Sequence, residues 1–352
     1  MKKMIIILVT VAGIAGISIT GCKKDSDMNI VVPDTTELIS FTVPAGWPQP
    51  AYSFQNNTLT QQGFELGRKL FYDVRLSRDN TISCASCHAQ FSAFSHLDHP
   101  LSHGIGGLFG TRNAQGLFNL AWKPNFFWDG GVINLENQPI NPIENPVEMD
   151  EKIQDVVTEL GTDADYKRSF KSVFGDETVN SQRIFKALAQ FMATLVSANS
   201  KYDKYVRGEQ GVAMTQQELN GLTLFKAKCA TCHQEPLFTD NSFRNNGLIV
   251  SANLNDTGRA HITALAADRY KFMVPSLRNV NLTRPYMHDG RFTTLDAVLE
   301  HYRSGIVVSS TLDASLTSGI AMTDDEKADI IAFLKTLSDD TFIKDKRFSE
   351  PK

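Results

Sequence analysis

Cys84-Ala85-Ser86-Cys87-His88 and Cys229-Ala230-Thr231-Cys232-His233 are two copies of Cys-x-x-Cys-His, the pattern by which a c-type haem is attached. The spacing has a chemical reason. Two thiols three positions apart add to the two vinyl groups of one porphyrin, and the imidazole that follows falls beneath the ring and ligates the iron from the proximal side. Two plainer readings compete: a pair of Cys-x-x-Cys disulfides, or a zinc site of four cysteines. Neither accounts for a histidine directly after the second cysteine both times. The pattern therefore predicts two covalent haem c groups, on Cys84 and Cys87 and on Cys229 and Cys232, with His88 and His233 as proximal iron ligands.

These motifs use four of the five cysteines. The fifth, Cys22, closes Ile19-Thr20-Gly21-Cys22, after a basic start (Lys2, Lys3) and an apolar run over 4–19. That is a signal sequence rather than a fold element, spanning 1–21 and ending in a lipoprotein-type cleavage box. The mature chain is expected to begin at a lipidated Cys22, a membrane-anchored lipoprotein facing the periplasm with no spanning helix. Export suits a c-type haem, which is attached outside the bacterial cytoplasm. Residues 22–57, rich in Asp, Thr, Pro and Asn without sustained periodicity, read as a flexible tether. Without Lys2 and Lys3, the 35 basic residues fall to 33 against 39 acidic ones. With no basic block, nucleic acid is not an expected partner.

The rest of the chain repeats itself loosely. Thr60-Gln61-Gln62 leads through Leu70-Phe71 to the first motif, and Thr215-Gln216-Gln217 leads through Leu224-Phe225 to the second. Phe94-Ser95-His96 follows one and Phe238-Thr239-Asp240 the other. Asn119-Leu120 precedes Trp128-Asp129-Gly130 as Asn281-Leu282 precedes His288-Asp289-Gly290. Two versions of one haem domain are expected, over 58–209 and 210–347. Helical periodicity dominates between these points. Segments 152–160 and 163–174 are amphipathic, and 180–197 sets Ile184, Leu188, Phe191 and Leu195 on one face. Thr323 caps a closing helix from Asp324 to Leu337. The predicted class is mainly α, two tandem cytochrome c-like haem domains with long loops.

Six further stretches carry a resemblance: Leu66-Gly67-Arg68-Lys69-Leu70-Phe71, Arg112-Asn113, Phe127-Trp128-Asp129-Gly130, Pro146-Val147-Glu148-Met149, Pro275-Ser276-Leu277-Arg278-Asn279 and Pro285-Tyr286-Met287-His288-Asp289-Gly290. Through them residues 66–337 resemble the bacterial di-haem cytochrome c peroxidases, including the MauG branch that oxidises residues of a partner protein. The resemblance implies a peroxide-reducing haem over His88 and an electron-relay haem over His233. It makes Glu148 the distal carboxylate that moves a proton between the peroxide oxygens, helped by a pKa raised in an apolar pocket. It places Trp128, an oxidisable indole, between the haems. It also implies a calcium ion, bound largely by backbone oxygens and water, at Asn113, Thr283 and Pro285.

Two positions depart from the commoner pattern. Where many of these enzymes carry a histidine that blocks the first iron, alignment puts Ile105, so an open haem is expected. His103, His96 and His99 lie in the same loop and keep a histidine ligand in play. Where the relay haem commonly has Met, the count reaches Tyr302, as in the MauG branch. Leu295, Val298, Leu299 and Tyr302 share one helix face, and His301 points about 100° away. A phenolate is a hard donor that stabilises oxidised iron; core packing of Tyr302, with His301 or a nearby Met as ligand, is the rival. Three functions follow. The first is reduction of hydrogen peroxide with electrons from a small cytochrome c or copper protein. The others are MauG-like oxidation of side chains on a partner protein and a non-enzymatic electron carrier. The family's habit of dimerising leaves a homodimer open.

Overall fold

The structure, a computed structural model, describes residues 37–352. The expected signal 1–21, the expected lipidation site Cys22 and the expected tether as far as residue 36 lie outside the described residues.

Each half is built on one helix crossing. Gln61–Tyr72 packs on Ser181–Ala193 in the first, and Gln216–Lys228 packs on Asp324–Lys335 in the second. Four caps start these helices. The side chains of Thr60, Asn180, Thr215 and Thr323 accept from the backbone N–H groups of Gly63, Arg183, Glu218 and Glu326, satisfying donors a helix start leaves free. Glu218 and Glu326 return the bond to their caps, completing capping boxes. The face carrying Ile184, Leu188 and Phe191 is fully buried. Its helix ends at Ala193 rather than at 197, because the chain turns to meet Asn119: the Asn119 N–H donates to the Leu195 carbonyl at 2.8 Å.

Glycine sets how closely the helices cross. A Cβ on Gly67 would fall on the Ala187 carbonyl and the Phe191 side chain, and one on Gly221 on the Asp329 carbonyl and the Phe333 side chain. Behind each crossing lies a triad of fully buried rings, Phe71, Phe94 and Phe191 or Phe225, Phe238 and Phe333. Centroids are 5.1–6.5 Å apart in the first and 5.0–6.2 Å in the second. The repeat visible in sequence is therefore a repeat of packing. Among the described residues the only sheet is two-stranded, Phe243–Arg244 antiparallel to Phe272–Met273. The mainly α class with two tandem haem domains stands.

The chain ends cross between the halves. Residues 37–57, read as tether from their composition, are packed on the body through four aromatics. Phe41, Trp47, Tyr52 and Phe54 cluster at Trp122, with Trp47 at 5.0 Å between centroids. The Trp122 indole donates to the Pro48 carbonyl at 2.8 Å. Trp47 also lies 4.4 Å beneath the guanidinium of buried Arg278, in the second half. At the other end Phe342 and Phe348 belong to the first core, Phe342 lying 5.6 Å from Phe94. A limit at 347 thus divides the sequence but not the packing.

Candidate active site

Cys84, Cys87 and His88 line one cavity, and Cys229, Cys232 and His233 line another. The four thiols are unpaired, and their separation into two cavities speaks against one four-cysteine zinc site. After each motif a phenylalanine sits in the left-handed region, Phe94 (φ 57°) or Phe238 (φ 55°). Their carbonyls meet the Nδ1 atoms of His88 at 2.9 Å and His233 at 3.1 Å. With Nδ1 so engaged, Nε2 is the nitrogen left for iron. Burial pushes His88 down to about 4 and lowers His233 as well, keeping both imidazoles in the neutral, ligating form. Donor set, tautomer and cavity fit a covalent haem at each motif.

Glu148 enters the first cavity from a turn over 145–150, where its N–H donates to the Asn145 carbonyl at 3.0 Å. Burial raises its carboxyl above the usual range, opposed by hydrogen bonds from Ser102 and Asn145. The Ser102 hydroxyl donates to Oε1 at 3.1 Å, a partner the sequence did not announce. Ile105, singled out separately, is a direct neighbour: it is buried, and its N–H donates to the Glu148 carbonyl at 2.8 Å. Neither Ile105 nor His96, His99 or His103 lines the cavity. The three histidines gather with one another instead.

Trp128 lines both cavities. Its loop is held by Arg112, which bonds Asp129 at 2.5 Å and Asp256 at 2.6 and 2.8 Å. The Arg112-Asn113 and Trp128-Asp129-Gly130 stretches are thus two sides of one contact. Lys123 lines both cavities too, and burial brings its ammonium down to about 8. No sequence pattern marked it, since a lone lysine after Leu120-Ala121-Trp122 reads as the end of an apolar run.

The second cavity takes one face of helix Leu295–Ser304, capped by Thr294. Leu295, Val298, Leu299 and Tyr302 all line it. Burial raises the Tyr302 phenol to about 12, against a hydrogen bond with Asn246. His301 is outside the lining, buried, with Nε2 2.9 Å from the Asn246 carbonyl oxygen. Met287 and Met322 also line the cavity. Asn113, Thr283 and Pro285 also line this cavity. The Asn113 amide donates to the His99 and Pro100 carbonyls at 3.0 and 3.2 Å, leaving its side-chain oxygen and backbone carbonyls as the donors a hard cation would use.

A family profile described as di-haem cytochrome c peroxidase matches residues 61–211, and one described as cytochrome c matches 218–338. The chain is similar to the methylamine utilization protein MauG of Methylorubrum extorquens, 37% identical over 84% of this chain and 83% of that one. It is similar to the cytochrome c551 peroxidase of Nitrosomonas europaea, 36% identical over 78% and 80%. Among solved structures, a MauG-like protein associated with microbial copper homeostasis superposes with a TM-score of 0.82, 33% identical over 89% of this chain and 99% of that chain.

Proposed function

The chain belongs to the di-haem cytochrome c peroxidase family, a family of oxidoreductases, and we propose that it reduces hydrogen peroxide to water with electrons from a small periplasmic cytochrome c or copper protein. The observation that carries this reading is Glu148, a carboxyl with a raised pKa facing the same cavity as His88.

When bound, the two haems supply the redox-active irons, one for peroxide and one for electron entry. Everything else falls to side chains. His88 and His233 present Nε2 from rings fixed by the Phe94 and Phe238 carbonyls. Glu148, anchored at Oε1 by Ser102, takes a proton from one peroxide oxygen and returns it to the other, so that the departing oxygen leaves as water. Trp128 bridges electron transfer between the cavities. Tyr302, facing the second, is the anionic ligand that holds the relay in its oxidised state. One calcium ion at Asn113, Thr283 and Pro285, a lipid anchor on Cys22 and a homodimer complete the proposal.

The test is EPR of the diferric holoprotein before and after peroxide, together with steady-state turnover using a reduced small cytochrome or copper protein. A reaction without prior half-reduction, with sustained turnover, is expected. A resting first haem that is low-spin with two histidine ligands, or an absence of turnover, overturns the reading.

Tyr302 favours a second reading, in which the oxidising equivalents pass to side chains of a partner protein. Relatives named MauG, at 37% and 32% identity, keep it in view. A modified residue on a co-purifying protein supports it; steady turnover with a small donor argues against it.

A further inference from the structure

His96, His99 and His103 form a ligand cluster outside both haem cavities. We propose that it binds one divalent transition ion of the copper–zinc class.

A ring nitrogen from each of the three lies within 4.8 Å of the others. His96 stacks on His99 at 4.0 Å between centroids, and His103 closes the triangle at 4.7 and 4.5 Å. Each ring has a nitrogen to offer. His96 is only 8% exposed, and its Nδ1 is buried without a hydrogen-bond partner. An orphaned nitrogen of this kind is costly unless something satisfies it, and a cation would. His99 places Nδ1 2.8 Å from the Leu97 carbonyl oxygen, which leaves Nε2 with the free lone pair, as behind a metal-ligating histidine. His103 faces the other two rings and pairs through its backbone with Phe109.

The donors select the ion. Three imidazoles offer a hard cation such as calcium or magnesium no oxygen. The nearby carboxylate, Asp98, is paired with Arg284 at 2.8 Å. Cys87, whose Sγ contacts the His103 carbonyl at 3.3 Å, belongs to the haem motif, so no thiolate competes. An all-imidazole set suits Cu(II) and Zn(II), with Cu(II) the tighter. Metal–nitrogen bonds of about 2.0–2.1 Å require the rings to draw together. His99 and His103 are half-buried and have solvent on one side, which also admits the ion and a water as fourth ligand.

The site has a structural consequence. Phe94, whose carbonyl fixes the His88 ring, is two residues before His96. An ion held by the three histidines clamps the loop that orients the first proximal ligand, and the second half has no counterpart: Asp240 stands where His96 stands in the repeat.

The experiment uses the di-haem holoprotein, stripped with a chelator and titrated with Cu(II) and, separately, Zn(II). One tightly bound equivalent is expected, and the Cu(II) EPR signal should carry nitrogen hyperfine structure from three imidazoles. His99→Gln and His103→Gln should each weaken binding at least ~10-fold with both haem absorption bands unchanged. His261→Gln, at an exposed histidine elsewhere, should leave the affinity as it was. The proposal is overturned if the His99→Gln/His103→Gln double variant binds Cu(II) as tightly as the parent. It also fails if the parent signal lacks three-nitrogen coupling, or if either substitution changes the axial ligation of the first haem.

Discussion

Trp128 donates its indole N–H to the carbonyl of Asn113 at 2.9 Å, while the N–H of that same asparagine donates to the carbonyl of His288 at 2.7 Å. The ring that lines both cavities is thus held by backbone from each half of the chain. Trp128→Phe keeps an aromatic ring but removes both the N–H and the easily oxidised indole. We expect both haems to be retained and stability to fall by about 1 kcal/mol, the worth of one hydrogen bond. Donor-linked peroxide turnover should fall by about an order of magnitude or more. Turnover at the parent rate would remove Trp128 from the electron route.

Glu148→Gln preserves volume and the Ser102 contact but cannot carry a proton. The peroxide reaction should slow by roughly 10²–10⁴. The pH dependence has a definite sign. The proton-accepting form is the carboxylate, and burial raises the pKa, so activity should be lost on acidification at a pH above that of an ordinary glutamate. A rapid-mixing pH profile should show this acid limb in the parent and none in the variant. An unchanged limb would assign it to another group.

Tyr302→Met replaces a hard oxygen donor with a soft thioether. Without a cation opposite, the cavity holds the phenol at about 12, so a phenolate there depends on the iron. A redox titration should show the second haem's potential rising in the variant and the first haem's staying in place. An unmoved second potential would reduce Tyr302 to packing.

Gly67→Ala and Gly221→Ala place a methyl group against the facing helix backbone. Overpacking of this kind costs roughly 1–3 kcal/mol, more than the gain of roughly 0.5–1 kcal/mol from replacing a helical glycine. Both variants should melt below the parent by calorimetry. Gly161→Ala, in helix Ile153–Thr162 with open space at the site, should melt above it. Equal shifts at all three positions would contradict the close crossings.

What was legible in the chain was local. The two Cys-x-x-Cys-His motifs, the cap at Thr323 and the paired phenylalanines could be read because each signal lies within a few residues of its partner. The cavity-facing side of Tyr302 against His301 followed from helical angle alone. Contacts across long separations left no periodic trace. Ser102 beneath Glu148, Arg112 between Asp129 and Asp256, and Lys123 beside both cavities are of this kind. Residues 37–57 were misjudged because composition counted their prolines and aspartates, while four scattered aromatics decided where they lie. The loop histidines were legible as candidates, but not their gathering with one another rather than along the cavity.

The crossed ends bear on how this protein could be taken apart. Trp47, near the start, roofs Arg278 of the second half, and Tyr72 of the first half donates its hydroxyl to the Phe348 carbonyl near the finish, at 2.8 Å. The two halves repeat one haem fold, yet each now wears a piece of chain from the far end of the other. Neither is a portable module: cutting the gene between them would leave two fragments, each with an exposed apolar scar where its borrowed covering had been.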